Sequence, residues 1–218
     1  MKLKGFTLAE IIVTLTIIGV VAAITIPVLN VKTEESKFIA QLGKANNTLQ
    51  TSIKLAAINN DNLPIKHWET VSDATSPQTK AAALFEALTE NMTTADNCAS
   101  LSTCLAPTYL TLAKKTVNAA WKTNLVCTMT SDSITFCIMP DFSAIVIDLN
   151  GPQKPNTFGV DAFIFGPIDD VHNTINAKND LATCSKDSTD ATYIGSGGCA
   201  EWALKKGNMD YRRKTVNW

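Results

Sequence analysis

Glu10 is the first residue of this chain whose type and position raise a chemical question, because it stands directly before Ile11 to Val31, a stretch without a charge. An ionised carboxylate at membrane depth costs about 2.5 kcal/mol or more at a helix centre and is normally kept for a partner of opposite charge. A second group is rich in oxygen. Asp148, Asn150 and Asp161, inside DLNGPQKPNTFGVD, place carboxylate and amide oxygens on a loop between two predicted strands. Calcium takes such donors in sets of about six to eight. The acids that an EF-hand needs at its later positions are missing, and Asp and Asn beside Gly151, Pro152 and Pro155 also form Asx turns without any ion.

The thiols form a third group. Cys98, Cys104, Cys127, Cys137, Cys184 and Cys199 all follow the apolar stretch, and an even number beyond a membrane points to disulfides in an oxidising compartment. Fifteen pairings are formally open for six cysteines. Sequence proximity suggests Cys98 with Cys104, Cys127 with Cys137 and Cys184 with Cys199, the second across a hairpin. A zinc site is the competing reading, but there is no C-x-x-C pair and His67 and His172 are isolated. Catalytic signatures are absent: no H-E-x-x-H, no G-x-S-x-G and no phosphate-binding loop. Gly195 to Gly198 lead into Cys199 rather than the Lys-Ser or Lys-Thr of a Walker motif, which a flexible turn explains. Trp121, Trp202 and Trp218 are candidates for a sugar platform, although scattered tryptophans usually pack cores and rims.

The elements that carry these residues begin with the apolar stretch. As a helix rising about 1.5 Å per residue it covers roughly 32 Å, against ~30 Å of bilayer hydrocarbon. Gly19, Pro27 and the hydroxyls of Thr14, Thr16 and Thr25 interrupt it, and a threonine hydroxyl bonds back to its own helix. Lys2 and Lys4 precede it, so the positive-inside rule keeps the N-terminus cytoplasmic and sends the rest across. A cleaved secretory signal, with Val21-Ala22-Ala23 as its cleavage site, is disfavoured by the length of the run and by the acid at its edge. Pro27 leaves the Ala23 carbonyl without a helical donor and predicts a kink or a softened turn.

Lys4-Gly5-Phe6-Thr7-Leu8-Ala9-Glu10 resembles the processing motif of type IV prepilins and of the pseudopilins of type II secretion systems: a basic leader ending in Gly, then Phe, Thr-Leu, and Glu at the fifth position, followed by the span. The resemblance covers about the first thirty residues and includes a proline at position 27. It implies cleavage between Gly5 and Phe6 by a prepilin peptidase, methylation of the new Phe6 amine, and retention of the span. It also implies that Glu10 meets the Phe6 amine of a neighbouring subunit in a filament, although an i, i+4 contact within one chain is equally within reach. Other pilin or pseudopilin subunits, an inner-membrane assembly platform and membrane lipid are then the expected partners. Major pseudopilins bind calcium in their heads, which raises interest in the oxygen-rich loop.

Beyond the span, Phe38, Leu42, Ala45, Leu49, Ile53 and Ala56 recur at helical spacing, predicting that the helix continues to about Ile58 as one rod of roughly 80 Å, apolar all round in its first half and amphipathic in its second. The turn formers Asn59 to Pro64 end it. Short helices are predicted over Lys80 to Asn91, near Tyr109 to Trp121, and over Ala200 to Lys206. Strands are predicted around Ile134 to Ile138, Ile145 to Ile147 and Ala162 to Phe165, within three or four antiparallel strands arranged as a meander. The expected class is α+β, with the long N-terminal helix packed across one face of an antiparallel sheet, in the outline of the pilin α/β roll. The expected organisation is a leader over 1–5, a helix over 6–58 with its transmembrane part at about 11–31, and an extracytoplasmic head over 59–218.

Charge excludes little else. The chain has 19 Lys and Arg against 20 Asp and Glu, and loss of Lys2 and Lys4 with the leader takes the net charge from −1 to −3. Lys205-Lys206 and Arg212-Arg213-Lys214 form a local basic patch that a DNA-binding competence pilin would use, but without a wider basic face nucleic acid is disfavoured. The reading is therefore a non-enzymatic structural subunit of a pilus or secretion pseudopilus, held in the inner membrane before assembly. The alternative is a membrane-anchored extracytoplasmic binding protein that does not polymerise.

Overall fold

The computed structural model describes residues 5, 7–96, 98, 101–178, 184–187 and 197–216, with backbone only at 27–30, 96 and 102. The chain divides into two compact units, Met1–Lys37 and Phe38–Trp218. Helix α1, Leu8–Asn59, contributes to both.

In the first unit none of the described side chains from Leu8 to Ile26 is buried. The hydroxyls of Thr14, Thr16 and Thr25 donate to the carbonyls of Ile11, Ile12 and Val21, so these polar groups are satisfied within the helix. The segment is long and apolar enough to cross a membrane. The helix assignment continues through position 27, so Pro27 lies within α1.

In the second unit α1 turns into an amphipathic helix. Phe38, Leu42, Ala45, Leu49, Ile53 and Ala56, the predicted stripe, are all buried. Two glutamines beside the stripe tie the helix down, Gln41 donating to the Leu149 carbonyl just past the strand Ile145–Asp148 and Gln50 to the Ile175 carbonyl in the strand Thr174–Ala177. The helix ends at Asn59 because Asp61 and Asn62 take positive φ, a conformation Asp and Asn tolerate. The Asn173 side chain then secures the exit by accepting from the Ile65 amide and donating to the Leu63 carbonyl.

A short helix α2, Glu69–Ser72, precedes α3, Pro77–Thr89, which Ser76 and Thr79 start with reciprocal capping hydrogen bonds. Strand β1, Thr94–Asp96, and helix α4, Leu101–Cys104, follow. The remaining strands are β2, Val126–Thr130, β3, Thr135–Ile138, β4, Ile145–Asp148, β5, Ala162–Asp169, and β6, Thr174–Ala177. All six pair antiparallel in sequence order, a meander with two more strands than the upper expectation. The extra pair are the short edges β1 and β6. Helix α5, Ala200–Lys206, closes on Gly207 at φ 63°.

The sheet is buried on both faces. Phe136, Ile138, Ile145, Ile147, Phe163 and Phe165 join α1 and α3 in one core. The alternate residues Cys137, Val146, Ala162 and Ile164 join Tyr109, Trp121 and Phe158 in a second. The expected helix near Tyr109 to Trp121 does not form. Lys114 has φ 62° and reverses the chain, so the segment folds over the sheet as a loop, and only Ala119–Lys122 forms a single 3-10 turn. Its apolar residues serve a layer, at spacings that happen to fit a helix.

Candidate functional site

Two places combine chemistry-bearing residues. At the start of α1, Thr7 is the N-cap and Glu10 the third helical residue. The Thr7 amide and hydroxyl both donate to Glu10 Oε2 at 2.8 Å, and the Glu10 amide lies 3.3 Å from the Thr7 hydroxyl. This reciprocal arrangement is a capping box, recognisable in sequence as Thr-x-x-Glu. Glu10 thus has an intrachain role besides any role with an amine, and Thr7 is a residue that attention to the acid alone overlooks. Oε1 takes no part in the box. An amine at residue 6 would arise one position before the cap without disturbing these bonds.

Gly5 is exposed, and a Cβ placed there would meet nothing within 4 Å. Any requirement for glycine at this position is therefore imposed from outside the chain. Phe6 lies outside the described residues, as does the side chain of Pro27.

The second place is the loop between β4 and β5. Asp148 and Asp161 are buried close together, each at or below 1% exposure, with the Leu149 amide donating to the Asp161 carbonyl. Asp148 Oδ1 accepts from the Asn150 amide at 3.0 Å, an Asx turn, and Oδ2 accepts from the Tyr109 hydroxyl. Asp161 accepts from the Asn156 and Thr157 amides, both at 2.7 Å. Burial, and then the negative charge of Asp161, raise the Asp148 carboxyl well above the ordinary carboxylate range. Burial, and then Asp148, push the Tyr109 phenol up, which keeps it a neutral donor. Asn150 Oδ1 and Asn156 Oδ1 are buried without a hydrogen-bond partner. The structure thus brings Asp148, Asn150 and Asp161 into one loop anchorage, adding Tyr109 from a segment some forty residues earlier that no local motif reveals. Among the described residues there is no group of three or more His, Cys, Asp or Glu arranged for a metal.

The cysteines pair as Cys98 with Cys104, Cys127 with Cys137, and Cys184 with Cys199. Cys127 and Cys137 face each other directly across β2 and β3. The tryptophans form no common platform: Trp121 and Trp202 belong to different cores, and Trp218 lies outside the described residues. The basic patch is interleaved with acids, Lys205 pairing with Glu201, and Arg213 and Lys214 with Asp210.

Residues 1–26 match the family described as the prokaryotic N-terminal methylation motif, the type IV prepilin-like cleavage and methylation signal. No curated protein and no solved structure matches the chain.

Proposed function

We propose that this protein is a structural subunit of a type IV filament or a type II secretion pseudopilus, cut by a prepilin peptidase between Gly5 and Phe6, methylated on Phe6, and assembled through its N-terminal helix. The observation that carries this reading is the coincidence, within 26 residues, of the methylation-motif match with a capped helix whose apolar side chains are exposed all round. In the membrane lipid covers those side chains; in a filament the helices of other subunits replace the lipid. Glu10 Oε1 then accepts the Phe6 ammonium of a neighbour, which favours one axial register because an unpaired charge in an apolar phase is costly. The organisation follows as leader 1–5, helix 6–58 and exported head 59–218, anchored in the inner membrane with its N-terminus cytoplasmic. Pro27 provides a soft point for extraction from the bilayer.

The loop supports a second assignment, a calcium ion held by Asp148, Asn150 and Asp161. Two buried carboxylates side by side repel one another, and a divalent cation reverses the sign of that interaction. The unpartnered Asn150 Oδ1 favours the assignment, since a buried acceptor without a donor suits a hard cation.

The test of the filament reading is Glu10→Val in cells that make the filament. Membrane insertion and abundance stay at the parental level, because the substitution lengthens the apolar run, while sheared or surface-exposed filaments fall to background. Parental filament yield from Glu10→Val contradicts the role given to the carboxylate.

A further inference from the structure

The meander gives the head two ends, because alternate hairpins of an antiparallel sheet turn at the same end. At one end lie the β2–β3 turn and the β4–β5 loop. Helix α1 enters there, Gln41 donating to the Leu149 carbonyl and Lys44 pairing with Asp132 at 2.6 Å. The segment Leu110 to Thr116 joins this end, since the Leu110 amide donates to the Asn156 carbonyl and the Phe158 amide to the Leu110 carbonyl. Its Thr111 amide donates to the Lys115 carbonyl, closing a tight turn that leaves Lys114 and Lys115 exposed. Lys154, two residues before Asn156, is exposed as well. The Tyr211 hydroxyl donates to the Gly159 carbonyl and so brings Asp210 to this end. The acids here are either buried, Asp148 and Asp161, or paired within the chain, Asp132 with Lys44 and Asp210 with Arg213 and Lys214. The other end carries the β3–β4 and β5–β6 turns and the exit of α1, where Asn173 holds Leu63 and Ile65 and the Lys66 amide donates to the Asp170 carbonyl. Its segments, 59–76, 139–144 and 169–173, contain Asp61, Glu69, Asp73, Asp141, Asp169 and Asp170 against one lysine, Lys66, and no arginine. Asp169 pairs with His172. Among the described residues the other acids of this end have no ion-pair partner, and neither have Lys114, Lys115 and Lys154. Ile58, Leu63 and Val171 are exposed at the same end as the acids.

We propose that the heads stack end to end, the lysine end of one copy on the acidic end of the next. The inference rests on the filament reading and adds which surfaces of the head meet. A second copy of this chain is selected because the molecule carries both halves of the contact. An anionic lipid surface or a nucleic acid answers the lysines alone and leaves the acids and the exposed Ile58, Leu63 and Val171 uncovered. A contact between two different ends is heterologous, so each added copy leaves a free end for the next and the assembly is open rather than a closed dimer. Two like ends would set lysine against lysine or carboxylate against carboxylate, which disfavours the isologous dimer. Each exposed pair is weak and screened by salt, so the charges set order and direction, while the α1 helices and the covered apolar side chains supply the hold. Lys114 and Lys115 stand on a turn already fixed by backbone hydrogen bonds, which lowers the ordering cost of the contact.

Charge exchange tests it in cells that make the filament, with cleavage before Phe6 and the amount of protein in the membrane measured beside filament yield. Lys114→Glu, Lys115→Glu and Lys154→Glu together make both ends acidic, and Glu69→Lys, Asp73→Lys and Asp170→Lys together make both ends basic. Each set alone lowers filament yield about tenfold or more at unchanged membrane abundance, because like charges then meet at every step. The two sets in one chain restore the yield, and so does coexpression of the two singly exchanged chains, which alternate along the filament. Where a set loses the native near-ultraviolet circular dichroism, parental filaments treated with a zero-length carbodiimide decide instead. Lys114, Lys115 or Lys154 becomes joined to Glu69, Asp73 or Asp170 of another copy. No such bond closes within one chain, since β5 alone puts eight residues, roughly 26 Å, between the ends. Parental yield from either set alone, no rescue from their combination, or parental filaments without these cross-links overturns the end-to-end contact and leaves the filament reading standing. A parental chain that is not cut before Phe6 and forms no filament removes both.

Discussion

Ile24 and Ile53 lie on the same helix, yet the first is 67% exposed and the second 2%. From Leu8 to Ile26 apolar residues occupy every side of the helix and none of the described side chains is buried, so about 1.5–3 kcal/mol of burial free energy for such a side chain has to come from lipid or other subunits. In the second unit the apolar residues narrow to a stripe, and the chain's own sheet covers them. One unit is specified by what it meets outside the molecule, on the proposed reading a peptidase, a bilayer and the helices of other subunits. The other is specified by its own core. That contrast fits a family match confined to residues 1–26: packing against a fixed external partner restricts residue types position by position, whereas a core is satisfied by many sequences of suitable volume and pattern.

The contrast is most easily broken at the disulfides, which all lie in the second unit. Closing loops of 6, 10 and 15 residues, they stabilise the head by about 2–3 kcal/mol each on chain-entropy grounds. Reduction of the full-length protein in nanodiscs therefore lowers the denaturant midpoint of the sheet signal by several kcal/mol equivalent, while the span keeps its helical signal and its protection from protease. An unchanged midpoint on reduction contradicts self-sufficiency of the head as described.

A smaller effect sharpens the account of the head's loop. Asp148 has its carboxyl raised on folding, so without an ion its stabilising contribution is complete below the unfolded value of about 3.9 and is lost as pH rises. In chelator, Asp148→Asn flattens the decline in stability between pH 4 and pH 8. With millimolar calcium the parental protein instead gains stability as pH rises, because the ion requires the ionised pair, and its melting midpoint increases with calcium concentration. A midpoint indifferent to calcium, or a gain that persists in the Asp148→Ala, Asp161→Ala double variant, removes the calcium assignment.

The smallest effect concerns the start of α1. Thr7→Ala deletes the cap and costs about 1 kcal/mol, read as roughly fivefold faster amide exchange over residues 8–11 in bilayers. Filament yield falls less than with Glu10→Val, because the acid remains. Exchange at the parental rate would mean that the box does not hold the helix start in the membrane.

The sequence made some of this legible because the physical signal was local. The stripe from Phe38 to Ala56, the helix end among Asn59 to Pro64, and the alternation of Phe136, Ile138, Ile145 and Ile147 each follow from one element burying one face. The loop from Tyr109 to Trp121 misled because its apolar residues fit a helical period while Lys114 turns the chain, and positive φ at a lysine leaves no compositional mark. Strand β1 has three residues and β6, Thr-Ile-Asn-Ala, buries only Ile175, so neither shows an apolar alternation, and the burial of the sheet's second face depends on a segment that reads as irregular. At the candidate sites, Thr7 was readable from Thr-x-x-Glu but was hidden by the attention Glu10 draws. Tyr109, which meets Asp148 across 39 positions, had no local signal at all.

The central claim is that the first residues are a processing signal for a subunit that keeps its span, and the most direct measurement is the intact mass and N-terminal sequence of the protein extracted from membranes of cells that carry a prepilin peptidase. The account predicts a chain beginning at Phe6 with one added methyl group, and an unprocessed chain when Gly5 is replaced by Arg. A chain beginning at Ile24, or one that retains Met1 to Gly5 in the presence of the active peptidase, would contradict it.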